Sequence, residues 1–150
     1  MFLNLIRRMG GSTNFTIGVA VNPVADDIDE EITRFQAKIE AGAHFAMTQP
    51  LFDPEHWLAF VKKLGGKSPI PVLIGIWPLN SYQQALRLNN EVPGIVIPEA
   101  VLQSLESAGT AARERGFKVA QQMLSWSRTE LAGAYLIPPF KRYEEILDIL

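Results

Sequence analysis

Four short runs of β-forming, nearly uncharged residues punctuate the chain: Phe15 to Val21, Phe45 to Thr48, Val72 to Ile76 and Ala134 to Ile137. Each precedes a loop and then a stretch whose apolar positions recur at helical spacing, the rhythm of repeated βα units. The runs Thr-Ile-Gly-Val-Ala-Val and Val-Leu-Ile-Gly-Ile are continuous rather than alternating. That pattern predicts parallel strands covered on both faces.

The helix after the first run is the best specified element. Ile28, Ile32, Phe35 and Ile39 follow one another at four, three and four residues and form a single apolar stripe. Asp27 with Glu30 three residues later predicts a capping box, and Gly42 suits the left-handed position that closes a helix. A second helix is predicted over Pro54 to Leu64, with Pro54 in its first turn, Trp57, Leu58 and Val61 facing inward, and Gly65 and Gly66 ending it. Further helical patterns cover Ser81 to Asn89, Glu99 to Glu106, Thr110 to Ser125 and Lys141 to Leu150. Val92 to Pro98 reads as an extended, proline-bounded loop rather than a strand. Met1 to Arg8 reads as the end of a helix, because its apolar run is too short for a signal core or a membrane span. Gly10 and Gly11 stop that pattern before an amphipathic anchor develops. No internal repeat or linker divides the chain.

Composition narrows the function classes. Across 150 residues, 47% hydrophobic and 20% charged positions supply a core and argue against disorder. Fourteen basic residues against sixteen acidic ones, dispersed along the chain, give a net charge of -2 and no footprint for a nucleic-acid backbone. The absence of cysteine removes disulfides, thiolate metal sites and a cysteine nucleophile, and it fits a cytoplasmic setting. Two histidines, His44 and His56, are too few for a histidine-rich metal site; His44 is read as packing or capping and His56 as exposed. Trp57, Trp77 and Trp126 are read as packing residues.

Four βα units make half of a (β/α)8 barrel, which usually has about 250 residues. An open doubly wound sheet also accommodates four parallel strands, although Val21-Asn22-Pro23 stands where its glycine-rich fingerprint would follow the first strand. Pattern alone leaves both architectures open.

Five segments carry a more specific message: Phe-Thr-Ile-Gly-Val-Ala-Val-Asn-Pro from Phe15, Lys-Ile-Glu-Ala-Gly-Ala-His-Phe-Ala-Met-Thr-Gln-Pro-Leu-Phe-Asp from Lys38, Pro-Val-Leu-Ile-Gly-Ile-Trp-Pro-Leu from Pro71, Asn-Glu-Val-Pro-Gly-Ile-Val-Ile-Pro from Asn90, and Gly-Ala-Tyr-Leu-Ile-Pro-Pro-Phe-Lys-Arg-Tyr-Glu from Gly133. In order and in content they resemble the methylenetetrahydrofolate reductase family. The last segment is most similar to the branch fused to a homocysteine methyltransferase. The resemblance implies an α/β fold that is the C-terminal half of a (β/α)8 TIM barrel, with strands five to eight in one partial domain over residues 1–150. It implies FAD at the C-terminal mouth, NAD(P)H as electron donor and 5,10-methylenetetrahydrofolate as substrate.

The same resemblance implies that the first half of the barrel must come from elsewhere, because the family's general-acid carboxylate and the aspartate beside its flavin ring have no counterpart here. The expected partners are therefore a polypeptide carrying that half, or further copies of the chain. A non-catalytic assembly module is the alternative, and an unrelated βα enzyme acting on a phosphate or sugar ligand is a third reading.

Residue by residue, the resemblance places Gln49 against folate and nicotinamide, a task an amide suits because it donates and accepts without adding charge. Asn22, Glu31, Arg34 and Lys38 align with FAD contacts, Asn22 where other members carry a tyrosine. Arg34 and Lys38, four apart, are candidates to clamp a diphosphate. Gln84 and Leu88 share a helix face and align with substrate contacts, Leu88 where some members place a phenylalanine. Tyr135, Leu136 and Arg142 are candidates for the far wall. Plainer readings stand beside these: a loop glutamine at Gln49, a Glu30 to Arg34 surface pair, Leu88 and Tyr135 as core, and Gln84 as surface.

Overall fold

A computed structural model describes residues 5, 7–8, 14–138 and 143–150. Four strands, β1 (Gly18–Val21), β2 (Phe45–Pro50), β3 (Val72–Ile76) and β4 (Gly133–Leu136), form one sheet in the order β1-β2-β3-β4. All three pairings are parallel. A doubly wound sheet reverses its strand order at a switch point, whereas a barrel adds each strand beside the last. The sequential order therefore decides between the two architectures in favour of the partial barrel.

The helices follow the local signals closely. Helix α1 (Ile28–Glu40) is capped by Asp27, whose carboxylate accepts from the Glu30 N–H at 2.8 Å. The reciprocal half of the expected box does not form, because the Glu30 carboxylate pairs with Arg34 one turn on. Helix α2 (Pro54–Leu64) starts at Pro54 behind an Asp53 cap and ends at Gly65, which is left-handed with φ 113. Helices α3 (Tyr82–Glu91), α4 (Glu99–Ala108) and α5 (Ala112–Glu130) occupy the connection from β3 to β4. Val92 to Pro98 is a loop, with Ile95 and Ile97 buried.

Several expectations need correction. Strand β1 begins at Gly18 rather than Phe15, because the Ile17 N–H donates to His44 Nδ1 at 3.0 Å instead of to a ladder carbonyl, and Phe15 is 63% exposed. In α2 the inward stripe is Trp57, Phe60 and Val61, while Leu58 is 39% exposed. One residue turns a helix by about 100°, so Leu58 leaves the face that Trp57 and Phe60 share. His56 is half-buried, with Nδ1 lacking a hydrogen-bond partner. The final helix is a 3-10 segment, Tyr143–Asp148.

Two apolar clusters organise the packing. Val19, Val21, Ala46, Val72, Ile74 and Ile76 on one sheet face meet Phe35 of α1, Trp57 and Phe60 of α2, and Phe117, Ala120 and Met123 of α5. The rings of Phe35, Phe60 and Trp57 are tilted, with centroids 5.8 to 6.2 Å apart. The second cluster gathers Phe52, Leu79, Ala85, Leu88, Ile95, Ile97, Leu102 and Leu105 beyond the strand ends. The opposite sheet face carries Gly18, Ala20, Phe45, Met47, Gln49 and Tyr135, none of them buried. Coverage on both faces was the expectation. One face is open because the helices all lie on the other, as they do outside a barrel.

Candidate functional site

The C-terminal ends of β1 and β2 bring Asn22 and Gln49 close to the loop that follows α3. Strand β2 breaks register around Gln49, between Met47 and Pro50. Pro50 has no N–H to offer, so Leu51 donates to the Gly75 carbonyl at 3.1 Å in its place. The buried Thr48 hydroxyl fills the gap, accepting from the Gly75 N–H at 3.0 Å and donating to the Gln49 carbonyl at 2.6 Å. A bulge of this kind re-aims a side chain. Gln49 is the residue re-aimed, half-buried on the open face.

The loop after α3 closes over this point. A Cβ on Gly94, which has φ 81, would stand 3.1 Å from Asn22 Nδ2 and 3.7 Å from Gln49 Cγ. Asn22 and Gln49 are thus brought together under one loop. The Asn22 Oδ1 is occupied by the Val24 N–H at 3.1 Å, which leaves its amide nitrogen as the free donor.

Lys38 and Glu31 have turned toward the strand. Lys38 Nζ donates to the Ala20 carbonyl at 2.7 Å, and the buried Glu31 accepts from the Asn22 N–H at 3.0 Å; the two charges lie 3.9 Å apart. Backbone groups alternate sides along a strand, and the Ile17 carbonyl already points to β2, where it accepts from the His44 N–H. Ala20 C=O and Asn22 N–H therefore face the free edge of the sheet, and α1 supplies their partners. Arg34 takes another course. Its guanidinium is exposed, pairs with Glu30 and lines a cavity of about 580 Å³ together with Asn22, Asp26, Asp27, Glu91 and Gly94. Lys38 does not line that cavity, so the two cations do not close on one diphosphate.

The remaining candidates divide. Gln84 Oε1 accepts from the Asn80 N–H at 2.7 Å, and the Gln84 N–H donates to Ser81 Oγ, which ties this glutamine to the start of α3. Leu88 is buried in the second apolar cluster. Tyr135 is half-buried on the open face and donates to the Thr48 carbonyl at 2.6 Å. Burial pushes its phenol above the ordinary tyrosine value. Arg142 lies outside the described residues. Thr48 and Gly75 were missed in the sequence, although a proline ending an otherwise central strand is a legible sign of a bulge.

A singly wound βα sheet with helices packed on one face defines a barrel-type α/β protein. Residues 2–132 match the family model for methylenetetrahydrofolate reductase, and the chain belongs to that family. It is 32% identical over 117 residues to methylenetetrahydrofolate reductase 1 of Schizosaccharomyces pombe, covering 73% of this chain and 19% of that protein. With the 5,10-methylenetetrahydrofolate reductase of Escherichia coli it shares 26% over 129 residues, covering 81% of this chain and 43% of the relative. The chain thus spans less than half the length of these relatives. Among solved structures it resembles an uncharacterized protein from Clostridium thermocellum that binds two copies of 5-methyl-5,6,7,8-tetrahydrofolic acid, with a TM-score of 0.66, 17% identity, and coverage of 94% of this chain and 54% of that one. Among the described residues no helix is long and apolar enough to cross a membrane.

Proposed function

We propose that this chain forms the folate-facing half of a methylenetetrahydrofolate reductase barrel, the complete enzyme reducing 5,10-methylenetetrahydrofolate to 5-methyltetrahydrofolate with FAD and NAD(P)H. The observation that carries the reading is the β2 bulge beside a neutral amide, Gln49, which together with Asn22 lies close to Gly94 in a member of this family. An amide there can donate to and accept from a pterin or nicotinamide ring without placing charge beside it.

The fit to a flavin nucleotide is divided. Asp26, Asp27, Glu30 and Asn22 around the 580 Å³ cavity suit hydroxyl groups, which donate to carboxylates. Four carboxylates, counting Glu91, against the single guanidinium of Arg34 do not suit a diphosphate. In this reading the chain holds the polyhydroxylated part of FAD through Asn22, Glu31 and the Arg34 side of α1, and charge compensation for the phosphates comes from the first half of the barrel. Bound flavin would supply hydride transfer from NAD(P)H to the methylene carbon of the folate. Gln49, with Gln84, Leu88 and Arg142 as the further candidates that the family resemblance supplies, would orient the folate. Fusion to a homocysteine methyltransferase remains the reading for the segment from Gly133, and the cytoplasm is the proposed setting.

The assembly reading draws on the open sheet face and on the start of the β1 edge at the exposed Gly18, ahead of the stretch where Lys38 and Glu31 take the Ala20 carbonyl and the Asn22 N–H. Unpaired edges invite strand addition. One experiment separates the alternatives. The purified chain, alone and mixed with a polypeptide carrying the first half of a family member's barrel, is titrated with FAD by flavin fluorescence and with 5-methyltetrahydrofolate by calorimetry. Uptake of both ligands by the mixture, with folate affinity weakened by about tenfold in Gln49→Ala, is the expected result. Uptake of neither would leave the assembly reading, and stoichiometric FAD binding by the chain alone would remove the need for a second polypeptide.

A further inference from the structure

In a regular parallel ladder the Gly75 N–H would donate to the Thr48 carbonyl. Here that N–H goes to the Thr48 hydroxyl, and the released carbonyl accepts the hydroxyl of Tyr135, which sits 87 residues away and two strands across the sheet. To reach it, the Tyr135 ring crosses β3 directly over Gly75. A Cβ at Gly75 would lie 2.6 Å from the phenol oxygen and 3.1 Å from Pro50 N, so only glycine leaves the path open. Pro50 lacks the N–H a regular ladder needs and shifts its register, Thr48 absorbs the displaced donor, Gly75 gives way, and Tyr135 donates to the Thr48 carbonyl. Every piece converges on the peptide between Thr48 and Gln49.

We propose that Tyr135 is a positioning residue for ligand binding: its hydroxyl holds the Thr48 carbonyl away from β3 and thereby fixes the bulge that sets Gln49 beside Asn22 and Gly94. This rests on the reading that Gln49 meets a folate. Without the hydroxyl, the Thr48 carbonyl loses its donor and competes with the Thr48 hydroxyl for the Gly75 N–H, so the bulge fluctuates and Gln49 loses a fixed direction while the fold persists. The raised phenol keeps the hydroxyl protonated, and so able to donate, throughout the neutral range.

Tyr135→Phe keeps the ring over Gly75 and removes only the hydrogen bond. In the full chain, amide hydrogen exchange should speed up at Gly75 and Leu51 by about fivefold or more, with the amides of α1 unchanged. Affinity for 5-methyltetrahydrofolate, measured with the first barrel half supplied, should fall by roughly fivefold to tenfold. The Tyr135→Phe, Gln49→Ala double variant should bind no worse than Gln49→Ala alone, because Tyr135 acts through Gln49. Losses that add, or exchange rates that do not move, overturn the proposal. A wild-type protein that takes up no 5-methyltetrahydrofolate sinks the functional reading instead, and the exchange rates then decide the tether by themselves.

Discussion

The two faces of the sheet share one backbone and differ in almost everything else. On the helix side, Val19, Val21, Ala46, Val72, Ile74 and Ile76 are buried against Phe35, Phe60 and Trp57, and the apolar cluster is continuous. On the open side the register positions Leu73 and Gly133, then Gly75 and Tyr135, stand beside Met47 and Gln49, and polar groups are tied by specific hydrogen bonds rather than by area. Burial is non-directional and scales with surface, so it stabilises without aiming anything. Hydrogen bonds aim a group while adding little net stability. Folding free energy therefore concentrates on one face and directional hydrogen bonding on the other.

Substitutions can break that division. The largest effect is expected at Phe35→Ala, which empties a fully buried site in the helix-side core and should cost about 3 to 5 kcal/mol in urea unfolding. A loss below about 1 kcal/mol there would mean the helix face does not dominate stability. Gly75→Ala tests the open face by crowding: the added methyl meets Tyr135 and Pro50 and should cost about 1 to 3 kcal/mol. Relief of that cost in a Tyr135→Ala background would identify the phenol as the obstacle, and an unrelieved cost would identify the Pro50 backbone.

Gln49→Ala should change stability by less than about 0.5 kcal/mol while weakening folate binding by about tenfold. A matching loss of stability would place Gln49 among the structural residues. The smallest effect is alkaline. The folded chain retains the Tyr135 proton after the unfolded chain has lost its own, so the unfolded state binds fewer protons and stability falls as pH rises past about 10. That contribution is complete below the ordinary value and disappears toward the raised folded one. Tyr135→Phe should therefore lose stability less steeply than wild type between about pH 9 and pH 11, read from urea midpoints. Tyr82, raised by burial and by Glu106 and Glu99, titrates in both proteins and cancels in the comparison.

Much of the fold could be read from short stretches of chain. The caps at Asp27 and Asp53, Pro54 in the first turn of α2, the left-handed Gly65 and all four strands depend on residues within a few positions of one another. The loop from Val92 to Pro98 was equally legible, since prolines bound it on both sides. Periodicity failed where neighbouring apolar residues competed for one face, as Leu58 and Phe60 did, because a helix wheel ranks positions without knowing where the sheet lies. The candidate site was legible as residue types and not as contacts. Gln49 and Asn22 both lie close to Gly94, whereas Arg34 and Lys38 part company and Gln84 accepts from the backbone just ahead of its own helix.

By itself the sequence determined the element order, the caps and the apolar stripes, because those preferences act over one or two helical turns or along a single strand. Tertiary structure alone decided which sheet face stays open, that Lys38 and Glu31 close the edge of β1, and that Tyr135 meets Thr48 across 87 residues. Such pairings become visible only when the sheet places distant segments side by side, since neither partner carries a local mark of the other.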